Sequence, residues 1–250
     1  MAILVAIALA LSCTTPPAPV STSPSPTGAV PTVAVSVSPA PAVCPPVRQI
    51  ALGAISGRVG YPSDFVPPLA VFAIRVDDPG TYRLLHTQRV PPASSSYTMS
   101  AVEPGVYSVV AFVEGQPSTL AGAHTAAAAC GLGASCTDHT VVRVTVRAGA
   151  TVTGIDVTDW YAAPGAFPAR PAGSEPLRPG DSVRVCNPYA DSVNVRASAG
   201  FFPVRRVLDN GTAVAVRDGP LPADGLDWYE INIAGDQLAS GWVVGYSLRR

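Results

Sequence analysis

Cys130, Cys136, Asp138 and His139 place four potential metal ligands in a single short stretch of chain. Zinc accepts thiolate, imidazole and carboxylate, so these residue types could hold a cation. Their spacing matches no common zinc motif, and Cys130-Gly131-Leu132-Gly133-Ala134-Ser135-Cys136 is a Gly-rich loop in which two thiols can meet without forcing the backbone. A disulfide is therefore the expected chemistry, and closing so small a loop would contribute roughly 2 kcal/mol in the chain-entropy model. No metal and no cofactor are expected. Cys44 and Cys186 would pair as well if the end of the N-terminal segment folds back onto the C-terminal region, where an exporting compartment would let disulfides persist.

Catalysis has few groups to draw on. The histidines are His86, His124 and His139, and Ser94-Ser95-Ser96 lacks the Gly-x-Ser-x-Gly setting of a nucleophile elbow. Cys130 and His139 could imitate a thiol–imidazole pair, but a Cys protease needs its nucleophile at a helix start inside a substantial catalytic domain, and nothing here offers one. No catalytic residue is expected. Asp77, Asp78, Asp156 and Asp159 lack the regular spacing of a calcium loop and are read as solvated turns, while Trp160 is expected to cap a core.

The elements that must position these residues are strands. Val142, Val144 and Val146 alternate with Val141, Arg143, Thr145 and Arg147, the two-residue period of a strand with one buried and one wet face. Val106 to Val113 is nearly all apolar and follows Pro104-Gly105, which predicts a turn feeding a strand covered on both faces. Ile55 to Tyr61, Val71 to Val76 and Thr151 to Val157 add further strands, and about seven would pack as two sheets. Residues 49–161 are assigned to this sandwich and 162–180 to a Pro-rich hinge. In residues 181–250 the pairs Val183/Val185, Val193/Val195 and Val214/Val216, the alternation of Tyr229, Ile231 and Ile233 with Trp228, Glu230 and Asn232, and the turn at Asn210-Gly211 predict a small barrel. The fold class is thus all-β, a sandwich followed by a barrel.

The N-terminus decides the compartment. Met1 to Leu11 is an unbroken apolar run, too short against the roughly 20 residues of a membrane-spanning helix and suited to a secretory signal over residues 1–12. Thr14 to Pro46 is almost entirely Pro, Ser, Thr, Ala and Val without a charge, so the segment 13–48 is expected to be a disordered, extended spacer. Stretched, at about 3.1 Å per residue, it would reach on the order of 100 Å. All 16 cations are Arg against 17 acidic residues, a balance with no basic footprint for nucleic acid. The 27 prolines and 22 glycines suit short strands joined by turns.

Three resemblances sharpen this. Leu9-Ala10-Leu11-Ser12-Cys13 resembles the bacterial lipobox, implying a diacylglyceryl group on Cys13 and a lipid-anchored or secreted, extracytoplasmic protein. Ile55-Ser56-Gly57-Arg58-Val59 and Val102-Glu103-Pro104-Gly105-Val106-Tyr107 look like the carboxypeptidase regulatory-like, transthyretin-like sandwiches, which are accessory modules without catalytic residues to carry over.

Asn194-Val195-Arg196, Gly211-Thr212, Trp228-Tyr229 and Gly241-Trp242-Val243, in that order, resemble the bacterial SH3 (SH3b) family of binding modules. Ala197-Ser198-Ala199-Gly200 stands where that family has Ser-Gly-Pro, and Asp218 to Asp227 is longer and richer in Gly and Pro than the family's connector. The resemblance implies a groove wall of Tyr189, Trp242 and Tyr246. Trp228, opposite the core face of its strand, would be an outward platform for a sugar ring or peptide. The expected function is non-enzymatic binding of cell-wall peptide or glycan. The alternatives are a structural or protein-interaction module of an envelope assembly and, more remotely, a cell-wall hydrolase.

Overall fold

Two strands buried on both faces organise the N-terminal half of the fold. The computed structural model describes residues 44–92, 95–116, 120–233 and 236–250. The expected signal sequence, Cys13, most of the spacer and Ser94 lie outside the described residues. In chain order the first elements are β1 (Gly53–Arg58), β2 (Leu69–Arg75), β3 (Tyr82–His86), β4 (Ser96–Val102), β5 (Gly105–Val113), β6 (Ala121–Ala123), the helix α1 (Ala126–Cys130), β7 (Arg143–Val146) and β8 (Thr151–Val152). One sheet runs β4-β1-β8 and the other β3-β2-β5-β6, with β7 also on β5. The odd-numbered side chains of β2 and β5, such as Val71, Tyr107, Val109 and Ala111, meet Ile55, Tyr97 and Met99 of the facing sheet in one core. Their even-numbered neighbours Ala70, Phe72, Ile74, Val110 and Phe112 form a second apolar layer on the other face. Alternation puts the odd and even sets on opposite faces, and an all-apolar run requires cover on both.

That second face is covered by the segment expected to be a hinge. Phe167 packs on the layer, and the Arg170 guanidinium lies over the Phe72 ring at 5.6 Å. Further along, Leu177 enters the core of the C-terminal part. Phe167, Arg170 and Leu177 thus pin residues 162–180 as a strap across both β parts, each apolar contact contributing part of the roughly 1.5–3 kcal/mol of a fully buried side chain. Trp160 caps the sandwich core as its position suggests, edge-on to Tyr61 and donating from its indole nitrogen to the Gly60 carbonyl.

The C-terminal part is made of β9 (Ser182–Val185), β10 (Ser192–Arg196), β11 (Val204–Asp209), β12 (Ala213–Ala223), β13 (Leu226–Ile233), β14 (Asp236–Val244) and β15 (Leu248–Arg249). Their order is β11-β10-β14-β13-β12-β9-β15, one continuous sheet whose two ends do not pair. The expected barrel is therefore an open sheet. It must nonetheless curl, because all seven strands send side chains into a single core that includes Val183, Val195, Leu208, Val216, Ile231, Val243 and Leu248. Asn210-Gly211 makes the expected turn with Gly211 at φ 94°, leading from β11 to β12 without pairing them.

Both disulfides form, Cys130–Cys136 within the sandwich and Cys44–Cys186 between the start of the described chain and the C-terminal sheet. Two bridges fit a protein that folds in an oxidising compartment. Among the described residues no helix is long and apolar enough to cross a membrane.

A candidate binding cleft between the two β parts

The Gly- and Pro-rich stretch from Asp218 to Asp227, which departs from the SH3b pattern, becomes an arm that docks the C-terminal sheet on the sandwich. β12 and β13 extend as a hairpin to Asp224-Gly225, with φ of 51° and 74°, the paired positive values that Asp-Gly supplies in a tight hairpin turn. The turn lies on β4: the Ser100 amide donates to the Gly225 carbonyl at 2.8 Å, and the Ser100 hydroxyl donates to the Asp224 carbonyl at 3.1 Å. Beneath the arm, Asp227 reaches β3. Its Oδ1 accepts from the His86 amide at 2.9 Å and its Oδ2 meets His86 Nδ1 at 2.8 Å. On the other side of the imidazole, Glu114 Oε1 stands 3.5 Å from Nε2, and Arg170 Nη2 lies 3.4 Å from the same oxygen. A polar network joining the sandwich, the strap and the C-terminal sheet thus lies largely buried at their junction.

Beside this junction opens a cleft of about 530 Å³. Its sandwich wall carries Tyr82, Arg83 and Glu103, and its opposite wall carries Tyr189, Tyr246 and Arg249. Tyr189 and Tyr246 meet edge-to-face, with centroids 5.5 Å apart. The Arg83 guanidinium lies over the Tyr246 ring at 4.3 Å and donates through Nε and Nη2 to the Ala101 carbonyl. Glu103 accepts from the Tyr189 hydroxyl at 2.9 Å and forms an ion pair with Arg48.

Electrostatics in the cleft follow from burial. It pushes the Tyr189 phenol up to about 12 and raises that of Tyr246, while it holds the Arg83 and Arg249 guanidiniums below their usual values. Both tyrosines accordingly remain neutral hydrogen-bonding surfaces at physiological pH.

Of the four aromatic residues expected to bind, Tyr189 and Tyr246 are brought together on the cleft wall. Trp228 does leave the core of its own sheet, as the alternation requires, but it does not face outward. Only 2% of it is exposed, it packs with Ala199, Leu226 and Ala101, and its indole nitrogen donates to the Ala223 carbonyl at 3.0 Å. Neighbours from its own part of the chain, with Phe201 edge-on and Ala101 of the sandwich, cover the face that sequence alternation assigns to solvent, so the ring is no platform for a ligand. Trp242 is half-buried against the same cluster and does not line the cleft.

The metal-ligand types around Cys130 resolve in the same way. Both thiols are consumed in the bridge, so neither offers a thiolate. His139 turns to Asp159, with Nδ1 2.7 Å from Oδ2, and the Thr125 hydroxyl donates to that oxygen at 2.7 Å. Asp159 is fully buried, in contrast to the solvated turn expected of it. Among the described residues no group of three or more His, Cys, Asp or Glu could hold a metal ion.

Read from sequence, Arg83 and Asp227 have no role and His86 is considered for catalysis alone. Asp227 stands directly before the Trp228-Tyr229 landmark, a carboxylate on a strand otherwise buried, and that was its one local signal. Comparison with protein-family models, with curated proteins and with solved structures finds no match to the chain.

Proposed function

We propose that this chain is a non-enzymatic protein of the cell envelope, anchored through Cys13, that binds cell-wall peptide or glycan in the cleft between its two β parts. The observation that carries the reading is the Tyr189–Tyr246 pair, two half-buried aromatic faces meeting at 5.5 Å in a cleft of about 530 Å³. Concave sites of this kind, lined by aromatic rings with a few fixed polar groups, suit small organic ligands. The ordered SH3b-like landmarks and the lipobox-like Leu9-to-Cys13 sequence support the same reading.

Co-sedimentation of the full chain with purified peptidoglycan tests it. The parent protein is expected in the pellet, and Tyr246→Ala, which removes one face of the aromatic pair, is expected to shift most of it to the supernatant. A parent protein that stays in the supernatant would overturn the reading.

A second reading, a protein-interaction module of an envelope assembly, has its own support. Phe201, Phe202, Val204 and Val207 are 64%, 52%, 45% and 54% exposed on and beside the edge strand β11. Grouped exposed apolar side chains of this size mark interaction surfaces. Cross-linking that returns a protein partner and no wall fragment would favour it.

A further inference from the structure

We infer that the cleft anchors its ligand by a carboxylate, held between Arg83 and Arg249, so that the wall component it takes is a peptide with a free acidic terminus. This rests on the cleft being the wall-binding site proposed above.

Four arginines line the cleft, and they are not equivalent. Arg48 is paired with Glu103, and Arg250 with Asp181 at 3.3 Å. Arg83 and Arg249 have no carboxylate partner among the described residues; each bonds only backbone carbonyls, of Ala101 and of Leu248. Three carboxylates line the cleft, Glu103, Glu175 and Asp227, and none forms an ion pair with either guanidinium. Glu103 is taken by Arg48 and Tyr189, and both oxygens of Asp227 are taken by His86.

The two guanidiniums line the same cleft, with Tyr189 among its wall residues. Arg83 is also partly desolvated, which lowers its proton affinity, while Arg249 is exposed and open to a ligand. Glu103 and Asp227 attract Arg83 without bonding to it, and an anion in direct contact would offset more of its desolvation. Guanidinium presents planar paired donors that match a carboxylate edge. Arg83 uses its Nε and one Nη2 donor on Ala101, which leaves its Nη1 donors for a ligand. A cleft of about 530 Å³ is far larger than a lone inorganic anion needs, and its tyrosine faces suit the apolar remainder of a short peptide.

The test titrates the full chain by calorimetry with N-acetyl-Ala-Ala as the free acid, with the same dipeptide as its amide, and with inorganic phosphate, beside the peptidoglycan pelleting assay. The acid is expected to bind at least tenfold more tightly than the amide. Arg249→Gln, at an exposed position, is expected to remove that preference while the melting temperature stays unchanged. Arg83→Gln is expected to do the same but also removes the Ala101 contact, so Arg249 carries the test.

Equal affinity for acid and amide, or no affinity for either while the protein still pellets with wall, overturns the carboxylate anchor and leaves the wall reading standing. Phosphate binding as tightly as the acid overturns the peptide assignment in favour of a phosphate-bearing ligand. Preferential binding of the acid by a protein that never pellets with wall overturns the wall reading and leaves the carboxylate site.

Discussion

Asp227 grips His86 at two points across 141 residues of sequence: one carboxylate oxygen accepts from the backbone amide at 2.9 Å, and the other meets the imidazole Nδ1 at 2.8 Å. The donor is on a sandwich strand and the acceptor on the C-terminal sheet, so this contact fixes their relative position as well as stabilising either one. Removing the carboxylate leaves the His86 amide and Nδ1 buried without a partner, at a cost of about 1–3 kcal/mol for an unsatisfied buried group. Asp227→Ala is therefore expected to lower the stability of the whole by that amount in urea unfolding and to split one transition into two. A variant within 0.5 kcal/mol of the parent, unfolding in one step, would show that the two parts are held by other means.

Gly225 makes a second, independent point of docking. A Cβ added there would sit 2.3 Å from the Ser100 hydroxyl and 2.7 Å from the Thr98 carbonyl, and φ is already 74°. Gly225→Ala combines a strained backbone with overpacking, for an expected loss of roughly 2 kcal/mol or more. Protease nicking within Asp218 to Asp227 should rise in this variant. Unchanged nicking and melting would mean that the arm does not bear on β4 in solution.

The two disulfides should differ in weight. Cys44–Cys186 closes a separation of 142 residues and Cys130–Cys136 one of 6, for which the chain-entropy model gives about 5 and about 2 kcal/mol. Thermal melts of the Cys44→Ser/Cys186→Ser and Cys130→Ser/Cys136→Ser proteins are expected to rank in that order. The opposite ranking would contradict an entropic origin for the larger effect.

Asp159 sets an acid limit on stability. Burial by itself would raise its carboxyl, but hydrogen bonds from Thr125, from His139 and from the Tyr161 amide outweigh that and hold it below the usual carboxylate range. A carboxyl depressed in the folded state stabilises fully above its unfolded value of about 3.9, and that stabilisation is lost as pH falls through the folded value. Urea midpoints measured from pH 6 downward should therefore hold to about pH 4 and then drop. Asp159→Asn should cost about 2 kcal/mol at neutral pH and flatten the drop. An acid limb of the same steepness in the variant would assign it to other groups.

What could be read from the chain alone was whatever is local and periodic. The valines of β7, the apolar run of β5 and the alternating pairs of β9, β10 and β12 declared an all-β fold because a strand sorts its side chains by parity, and parity is visible in sequence. The Cys130–Cys136 bridge was legible for a similar reason, since six residues of Gly-rich loop leave the thiols little choice.

Only the tertiary structure decided what covers each face. Parity puts Trp228 opposite Tyr229, but whether that side meets water or Ala199, Leu226 and Ala101 is decided by the tertiary packing. The docking of the two β parts made a strap of the expected hinge, buried Asp227, and brought Tyr189 and Tyr246 to one wall of a cleft facing Arg83, while packing within the sandwich buried Asp159. Those contacts join residues from about twenty to more than a hundred and forty positions apart, and burial over such distances is a property of the assembled surfaces that no local pattern encodes.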